Sequence, residues 1–218
     1  MAHTELTRVV VVDDHPAIVA GLEVWCANAD PPIQVVDSGP TPAVAWTDPG
    51  LDAEVVVFDL QLTDQVPAYP DLRRLVDSGR RVIAYTMRED RDTILTCIDL
   101  GVFTYLSKTE GPRHLVHAIH AASRNLPYTS PSMARAISTD TRTDRPRLTP
   151  RETDVLVNWF ACESKEMVAR KLGLSVRTVN SYIDRVRVRY ANAGRPASTK
   201  AALVARAVQD GLIGLDEL

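Results

Sequence analysis

The sequence predicts two domains of different fold class: a doubly wound α/β domain with a five-stranded parallel sheet, then a small all-α domain of four helices. Two observations lead to this prediction. Short apolar runs alternate with helical stretches through residues 1–126, as in sheets covered by helices on both faces. Closely spaced helical segments occupy residues 147–218. Between them, residues 127–146 are rich in Ser, Thr, Asp, Arg and Pro and are interpreted as a linker.

The two parts of the chain carry opposite net charge. Residues 1–130 contain 10 Lys and Arg against 18 Asp and Glu, whereas residues 131–218 contain 15 against 10. The whole-chain value of -3 hides this division. Halves of opposite sign indicate different partners, with nucleic acid a candidate for the basic half. Uneven solvated surface is the alternative.

Composition excludes several classes of protein. The 45% hydrophobic and 24% charged content is typical of globular domains and argues against a disordered or collagen-like chain. No run approaches the ~18 apolar residues of a membrane span, and early acids leave no signal-peptide core, so we expect a cytoplasmic protein. The three cysteines, Cys26, Cys97 and Cys162, are too far apart for a CxxC metal site and too few for a disulfide framework.

The strands of the first domain are predicted from apolar, largely β-branched runs that stop at polar residues. They cover residues 8–12, 33–36, 55–58, 81–85 and 103–106. Helices are predicted after Pro16, over residues 43–46, around Leu72 and Leu75, over residues 94–100 and over residues 115–122. Five strand–helix pairs in this order predict the doubly wound sheet.

Polar residues with useful chemistry follow the ends of these strands. Ligands of such sheets bind beyond the carboxyl ends of the strands, so residues at those ends should meet in one place. The residues concerned are Asp13, Asp14, Asp59, Thr86 and Lys108. Any one such Asp is more often a turn or helix cap, but their joint placement favours a site.

This set of side chains suits a magnesium ion and a phosphoryl group. Clustered carboxylates repel one another unless a hard cation lies among them, and carboxylate oxygens are preferred Mg²⁺ ligands. An ammonium and a hydroxyl beside the metal would neutralise and hydrogen-bond a phosphoryl group. A carboxylate can itself be the nucleophile and form an acyl phosphate.

The motifs Val11-Val12-Asp13-Asp14-His15, Val57-Phe58-Asp59, Tyr85-Thr86 and Tyr105-Leu106-Ser107-Lys108 resemble the receiver domain of two-component response regulators. The similarity covers roughly residues 8–126 and implies a CheY-like fold. It also implies that Asp59 is the phosphoacceptor. Asp14 would bind Mg²⁺ directly, Asp13 mainly through water, and Asp59 with the Gln61 backbone carbonyl would complete the metal site.

The same resemblance assigns a switch to three further residues. Lys108 would pair with a phosphoryl oxygen, and Thr86 would hydrogen-bond the phosphoryl group after transfer. Tyr105 would rotate inward as Thr86 moves; on spacing alone it is equally well a half-buried strand aromatic. The sequence departs from the family in the loop after Asp59, where Leu62-Thr63-Asp64-Gln65-Val66-Pro67 replaces Met-Pro-Gly, and at Thr109, where Pro is common.

The second domain begins with a capping box, Thr149-Pro150-Arg151-Glu152. A second helix is predicted after Ser164 and ends at Gly173, and Ser175 caps a third. A helix, a short turn containing Gly and another helix form the helix-turn-helix unit. A fourth helix is predicted over residues 199–209.

The third helix is the candidate DNA-reading element. Its exposed face should reach base edges through short polar side chains and phosphates through arginines, with a merely solvated face as the alternative. The candidate DNA-binding residues are Lys165, Arg177, Thr178, Asn180, Ser181, Asp184, Arg185 and Arg187. Asn180 suits adenine, whereas Asp184 can accept from cytosine and would repel phosphates.

Leu148-Thr149-Pro150-Arg151-Glu152, Leu172-Gly173-Leu174-Ser175 and Thr178-Val179 resemble the LuxR-type DNA-binding domain over about residues 147–212. Joined to a receiver domain, this is similar to the NarL/FixJ class. The resemblance implies that the third helix enters the major groove and that the fourth supports dimerisation. The apolar stripe predicted for that role is Leu203, Val204, Ala207 and Val208.

Three functions are compatible with the sequence. The first is a transcription regulator, not an enzyme, whose Asp59 is phosphorylated by a sensor histidine kinase and which binds a roughly two-fold symmetric DNA site as a homodimer. The second keeps the DNA-binding domain but replaces phosphorylation by control through a small ligand or partner, because the loop after Asp59 is altered. The third is a Mg²⁺-dependent phosphohydrolase.

Overall fold

A five-stranded parallel sheet forms the core of the first domain. The structure is a computed structural model that describes residues 6–62, 66–138 and 145–214. The sheet order is β2-β1-β3-β4-β5. The strands are β1 (Thr7–Val12), β2 (Ile33–Gly39), β3 (Val55–Phe58), β4 (Arg81–Thr86) and β5 (Thr104–Ser107). The order reverses between β1 and β3, which locates the binding crevice beyond their carboxyl ends.

Helices cover both faces of the sheet. Successive side chains of a strand point to opposite faces, so Val10 and Val12 belong to one apolar cluster and Val9 and Val11 to the other. On the first face lie α2 (Tyr69–Asp77) and α3 (Arg91–Leu100); on the second lie α1 (Pro16–Ala27) and α4 (Pro112–Ser123). The predicted doubly wound fold is confirmed.

The short helix predicted over residues 43–46 is a 3₁₀ turn, Pro42–Ala45, followed by a second one, Gly50–Asp52. Prolines at 40, 42 and 49 restrict helix formation because each lacks a backbone donor. The two turns also lie very close together: a Cβ on Gly50 would be 2.0 Å from the Val44 carbonyl oxygen. The β2–β3 crossover therefore has no α-helix, which corrects that prediction.

Part of the predicted linker is a helix that packs on the first domain. Residues 131–138 form α5 (Pro131–Ser138), whose Met133, Ala136 and Ile137 are buried in the same cluster as α2 and α3. Ser130 donates a hydrogen bond to the Tyr105 carbonyl of β5. A solvated tether is thus the wrong interpretation for this segment. Residues 139–144 of the linker lie outside the described residues.

Within residues 145–214, the part of the second domain that the structure describes, there are four helices, as predicted. They are α6 (Pro150–Phe160), α7 (Lys165–Leu172), α8 (Val176–Asn192) and α9 (Lys200–Gln209). Thr149 and Glu152 form the expected capping box, and Gly173 ends α7 in the left-handed conformation with φ of 63°. Among the described residues, no helix is both long and apolar enough to cross a membrane.

Helix α9 contacts both domains at once. Leu203 belongs to the apolar core of the second domain, whereas Ala205 packs into the cluster formed by α2, α3 and α5. Gly101, at the end of α3, has φ of 93° and approaches the start of α9 so closely that a Cβ there would be 2.9 Å from the Ser198 hydroxyl oxygen. The first domain therefore covers one face of α9.

Two buried cations reinforce this contact. The Lys200 ammonium donates to the Asn125 carbonyl, just after α4, at 2.6 Å and to the Cys162 carbonyl, just after α6, at 2.7 Å. It therefore joins the negative C-terminal ends of one helix from each domain. The Arg206 guanidinium, with a fully buried side chain, pairs with Asp99 of α3.

We expect Lys200 to make stability rise with pH. Burial lowers the pKa of Lys200 from 10.5 to about 8, so between these values the unfolded chain binds more protons than the folded chain. The free energy of unfolding of the wild type, relative to Lys200→Met, should increase from pH 7 to pH 10, by up to about 3 kcal/mol. Urea unfolding of both proteins at each pH measures this; a pH-independent difference would contradict it.

Candidate functional site

Three carboxylates converge beyond the ends of β1 and β3. Val12 lies opposite Phe58 in the parallel register, so Asp13 and Asp59, the next residues, are brought side by side. The Asp59 amide donates to the Val12 carbonyl at 2.8 Å, and the Asp13 amide to the Gly39 carbonyl at 3.0 Å. Asp13 and Asp59 are 3% and 2% exposed. Asp14 beside them is half-buried.

Lys108 lies between the two buried carboxylates. Its Nζ is 2.7 Å from Asp13 Oδ2 and 2.7 Å from Asp59 Oδ2, and its side chain is almost fully buried. The ammonium offsets part of the charge of the cluster, which would otherwise be costly to bury. Lys108 directly follows the end of β5 and is 49 residues from Asp59 along the chain. The sheet topology alone brings these residues together, as the sequence predicts.

The Thr86 hydroxyl is available for a further contact. Thr86 ends β4 and is fully buried, and its Oγ1 has no hydrogen-bond partner among the residues that the structure describes. A buried hydroxyl without a partner is costly, so a ligand oxygen at this point would be favoured.

Tyr105 of β5 is inside the protein. Its ring is fully buried, and its hydroxyl donates to the Arg88 carbonyl at 2.6 Å. Burial raises the pKa of Tyr105, so it remains a donor near neutral pH. The structure describes this inward position alone, and a rotation into it stays a prediction.

His15 joins the carboxylate cluster, although the sequence did not single it out as a site residue. Its Nδ1 is 2.8 Å from Asp14 Oδ1, and its amide donates to Asp13 Oδ1 at 2.9 Å. Candidate ligand atoms of Asp13, Asp14, His15 and Asp59 all lie within 4.8 Å of one another. Its position directly after Asp13-Asp14 was the available signal, because a side chain there must lie at the same sheet edge.

The donor set fits a hard divalent cation. Three carboxylates supply oxygen ligands, while an imidazole is a poorer ligand for Mg²⁺ than an oxygen. The Gln61 amide donates to Asp59 Oδ1 at 3.0 Å, which fixes the start of the loop after Asp59. The Gln61 carbonyl as a further ligand stays a prediction. Residues 63–65 of the altered loop, Asp64 among them, lie outside the described residues.

Helix α5 is tied to the turn that carries Lys108. Glu110, two residues after Lys108, accepts hydrogen bonds from the Ser132 amide at 2.7 Å and the Ser107 amide at 2.9 Å. Thr104 of β5 donates to the Met133 sulfur. The linker predicted here does not include this anchoring, although Met133, Ala136 and Ile137 have the i, i+3, i+4 spacing of a buried helix face.

The second domain presents an exposed polar face on α8. Arg177, Ser181, Asp184 and Arg185 are exposed there, while Val179, Ile183, Val186 and Tyr190 are buried on the other side, as predicted. Thr178 is half-buried, and its backbone N–H donates a hydrogen bond of 3.0 Å to the hydroxyl oxygen of Ser175, the N-cap of α8. The predicted DNA-binding residues of α8 therefore share a surface that a groove can reach.

Several of these side chains are already paired. Asp184 is 3.2 Å from the Arg187 guanidinium, so its charge is partly offset. Arg185 lies over the Tyr182 ring at 4.3 Å. Lys165 of α7 donates to the Asn180 amide oxygen at 2.5 Å. The repulsion of phosphates expected from Asp184 is correspondingly weaker.

The stripe predicted for dimerisation is largely inside its own domain. Leu203, Val204 and Ala207 are buried in the core of the second domain, and Val208 is half-buried between that core and the first domain. These three residues therefore cannot form a surface for a second copy, which corrects the prediction. The face of α9 that would become available if the domains parted carries Ala201, Ala205 and Val208.

Comparison with known proteins assigns both parts of the chain. The family model of the response regulator receiver domain matches residues 9–120, and that of the bacterial regulatory proteins of the luxR family matches residues 146–195. The nitrate/nitrite response regulator protein NarL of Escherichia coli is 25% identical over 194 residues, covering 84% of this chain and 88% of NarL. The response regulator GacA of Pseudomonas protegens is 28% identical over 191 residues, covering 83% and 88%.

Solved structures resemble most of the chain, across both domains. A crystal form of the response regulator RcsB of Salmonella typhimurium has a TM-score of 0.56 at 22% identity and covers 91% of this chain and 96% of its own. A complex of RcsB with DNA also has a TM-score of 0.56, at 21% identity, and covers 94% and 99%. At these identities the likeness concerns the fold.

Proposed function

This chain belongs to the response regulators, with a receiver domain joined to a LuxR-type DNA-binding domain, and we propose that phosphorylation of Asp59 controls how it binds DNA. The observation that carries the proposal is the pairing of Lys108 with Asp13 and Asp59, at 2.7 Å each, together with the buried hydroxyl of Thr86, which has no partner among the described residues. A nucleophile, a cation and a hydrogen-bond donor thus share one edge of the sheet. These are the parts that a phosphoryl group needs.

The transfer step uses one carboxylate oxygen of Asp59 as the nucleophile. The oxygen forms a bond to phosphorus while the bond from phosphorus to the donor breaks, and the donor leaves with the electron pair. With a phosphohistidine of a sensor kinase as donor, the leaving group is an imidazole. The Lys108 ammonium, already within contact of Asp59, neutralises a phosphoryl oxygen, and the Thr86 hydroxyl donates to another.

Asp13, Asp14 and Asp59 would hold the magnesium ion. When bound, Mg²⁺ supplies positive charge that lets the phosphoryl oxygens approach this acidic cluster. The carboxylates of Asp13 and Asp14 would hold the ion together with Asp59, and the Gln61 carbonyl would be the protein ligand from the following loop. His15, whose amide donates to Asp13 and whose Nδ1 lies 2.8 Å from Asp14 Oδ1, orients both acids.

The signal leaves the site through the turn after β5. Phosphorylation adds about 1.5 to 2 negative charges; it draws Thr86 toward Asp59 and shifts Lys108 from the carboxylate to a phosphoryl oxygen. Lys108 and Glu110 share one short 3₁₀ turn, and Glu110 holds the first turn of α5. A shift of this turn therefore changes the anchoring of α5, which packs against α3 and α9. The position of α9 changes as a result, and with it the position of the DNA-binding domain to which α9 belongs.

In the active state we propose a homodimer on a roughly two-fold symmetric DNA site, with a sensor histidine kinase as the phosphoryl donor. The face of α9 with Ala201, Ala205 and Val208 would take part once it leaves the receiver domain. Because the chain acts on DNA, a cytoplasmic location is part of the proposal.

The two alternative functions have less support. Control by a small ligand or partner was suggested by the loop after Asp59, yet the Asp59–Lys108–Thr86 arrangement suits phosphorylation. A phosphohydrolase finds no support among relatives that are named as regulators.

A substitution of Arg177 tests whether α8 binds DNA in a sequence-specific way. Arg177 is exposed in the first turn of α8, where a helix in the major groove meets base edges. We expect Arg177→Ala to weaken binding to the specific site by about 1–3 kcal/mol and binding to random DNA much less. Titration of the phosphorylated chain with both DNAs measures this. Arg185→Ala, at a predicted phosphate contact, is the control and should weaken both equally; an equal loss for Arg177→Ala would make it a phosphate contact too.

A further inference from the structure

Asn180 has a central place on the exposed face of α8. It lies three residues after Arg177 and four before Asp184, so the three side chains follow one another along this face. Asn180 is half-buried, whereas Arg177 and Asp184 are exposed. Its depth brings it close to α7, the preceding helix of the helix-turn-helix unit.

Lys165, in the first turn of α7, determines which end of the Asn180 amide faces inward. Its Nζ is 2.5 Å from Asn180 Oδ1. An ammonium has only donors, so the amide must turn its oxygen toward Lys165 and its NH₂ group away. Chemistry alone fixes this orientation, because the reverse would place two donors against each other.

Lys165 is itself held in place. It is half-buried, and its Nζ lies 5.7 Å from the centre of the Trp159 ring, within the range of a cation–π contact. Burial, and then the charge of Arg187, lowers the pKa of Lys165. Trp159 is nearly fully buried in the core of the second domain, so the ammonium has a rigid support.

An asparagine without such a partner reads adenine. Its oxygen accepts from adenine N6 while its NH₂ group donates to N7. Here one lone pair of the oxygen already accepts from a cation, and the ammonium beside it repels the N6 donor of adenine that would approach the other. What the pair offers to DNA is the NH₂ group of Asn180 and the remaining N–H groups of Lys165, all of them donors. Guanine presents two acceptors, O6 and N7, at the same edge.

We infer that Lys165 and Asn180 form a donor-only pair that selects guanine over adenine at the base they face. Lys165 acts as the specificity-determining residue, because it holds the Asn180 oxygen and so leaves the NH₂ donor of Asn180 to face the base. The inference rests on the proposed DNA-binding function and replaces the adenine preference predicted for Asn180 from sequence alone.

Selection from random DNA by the phosphorylated full chain, followed by sequencing, tests the pair. Asn180→Ala identifies the position that the pair reads, as the one where base preference is lost. There the wild type should prefer guanine over adenine about tenfold or more. Lys165→Met frees the Asn180 oxygen, and the preference should move to adenine. The matched control is Lys171→Met, which removes an exposed lysine of the same helix; it should lower affinity without changing the preference.

Each other outcome is informative. A wild-type preference for adenine at that position overturns the inference, as does an unchanged preference in Lys165→Met. If Asn180→Ala alters no position, the pair does not face a base, and the inference is again wrong while DNA binding stands. If the wild type enriches no sequence at all, the proposed function itself fails.

Discussion

Asp59→Asn is expected to abolish phosphoryl uptake. In the wild type, incubation with acetyl phosphate and Mg²⁺ should add the mass of one phosphoryl group, because an Asp59 carboxylate oxygen is the nucleophile. An amide is a far weaker nucleophile and removes a negative charge from the metal site. The fold should remain, since Asn is nearly isosteric and its one oxygen can still accept from Lys108 or from the Gln61 amide, which bond to different oxygens of Asp59 in the wild type. Intact-mass analysis measures uptake, and circular dichroism with a thermal scan checks folding.

Asp71→Asn provides a matched control for that experiment. Asp71 lies in α2 and takes no part in the carboxylate cluster, so its variant loses the same charge and should be labelled like the wild type. Persistent labelling of a folded Asp59→Asn protein would contradict the assignment of the phosphoacceptor. An unlabelled wild type that still binds Mg²⁺ would favour control by a ligand or partner.

Removing the carboxylate of Asp99 is expected to destabilise the chain strongly. Arg206 is fully buried, and Asp99 of α3 is its acidic partner in the receiver domain. Without Asp99 the guanidinium keeps its desolvation cost but loses the charge that Asp99 contributes. Breaking a buried pair from one side costs 3–5 kcal/mol in other proteins, and since the Asp99 side chain is 31% exposed we expect about 2–3 kcal/mol for Asp99→Ala. Urea unfolding of the full chain measures the loss.

The double variant distinguishes the pair from simple loss of packing. Asp99→Ala combined with Arg206→Met removes the buried charge together with its partner, and Met fills much of the same volume. We expect it to recover a large part of the stability lost in Asp99→Ala, so the two substitutions should be strongly non-additive. Additive losses, or a change below about 0.5 kcal/mol in Asp99→Ala, would show that the pair does not stabilise the domain contact.

Strand ends and helix caps made much of the fold predictable. The four residues before Asp13 and the four before Asp59 are all apolar, as expected of a strand buried on both faces. Once a parallel sheet is predicted, its topology brings Asp13, Asp59 and Lys108 to one edge. The Thr149–Glu152 capping box and Gly173 likewise identify helix boundaries by local chemistry.

Contacts between surfaces of similar polarity could not be predicted from the sequence, because their residue pattern does not distinguish a buried face from an exposed one. Helix α5 was missed because its few apolar residues stand among Ser and Arg. The two sides of α9 look alike, with Leu203 facing one domain and Ala205 the other, so the stripe predicted for dimerisation fell on the side that is buried in its own domain. The contact between Lys165 and Asn180 depends on how two helices cross, and side-chain spacing along either helix does not contain that angle.

Because α9 packs against both domains, the receiver domain or the DNA-binding domain of this protein cannot be freely exchanged with that of a relative. One side of the helix must match the core of the DNA-binding domain, and the other must match α3 and α5 of the receiver. A chimera joined within the linker would place Ala205 and Arg206 against a foreign surface. Evolution of this chain is therefore expected to change Gly101, Asp99 and α9 together, so that a regulator assembled from two modules is inherited as a single unit.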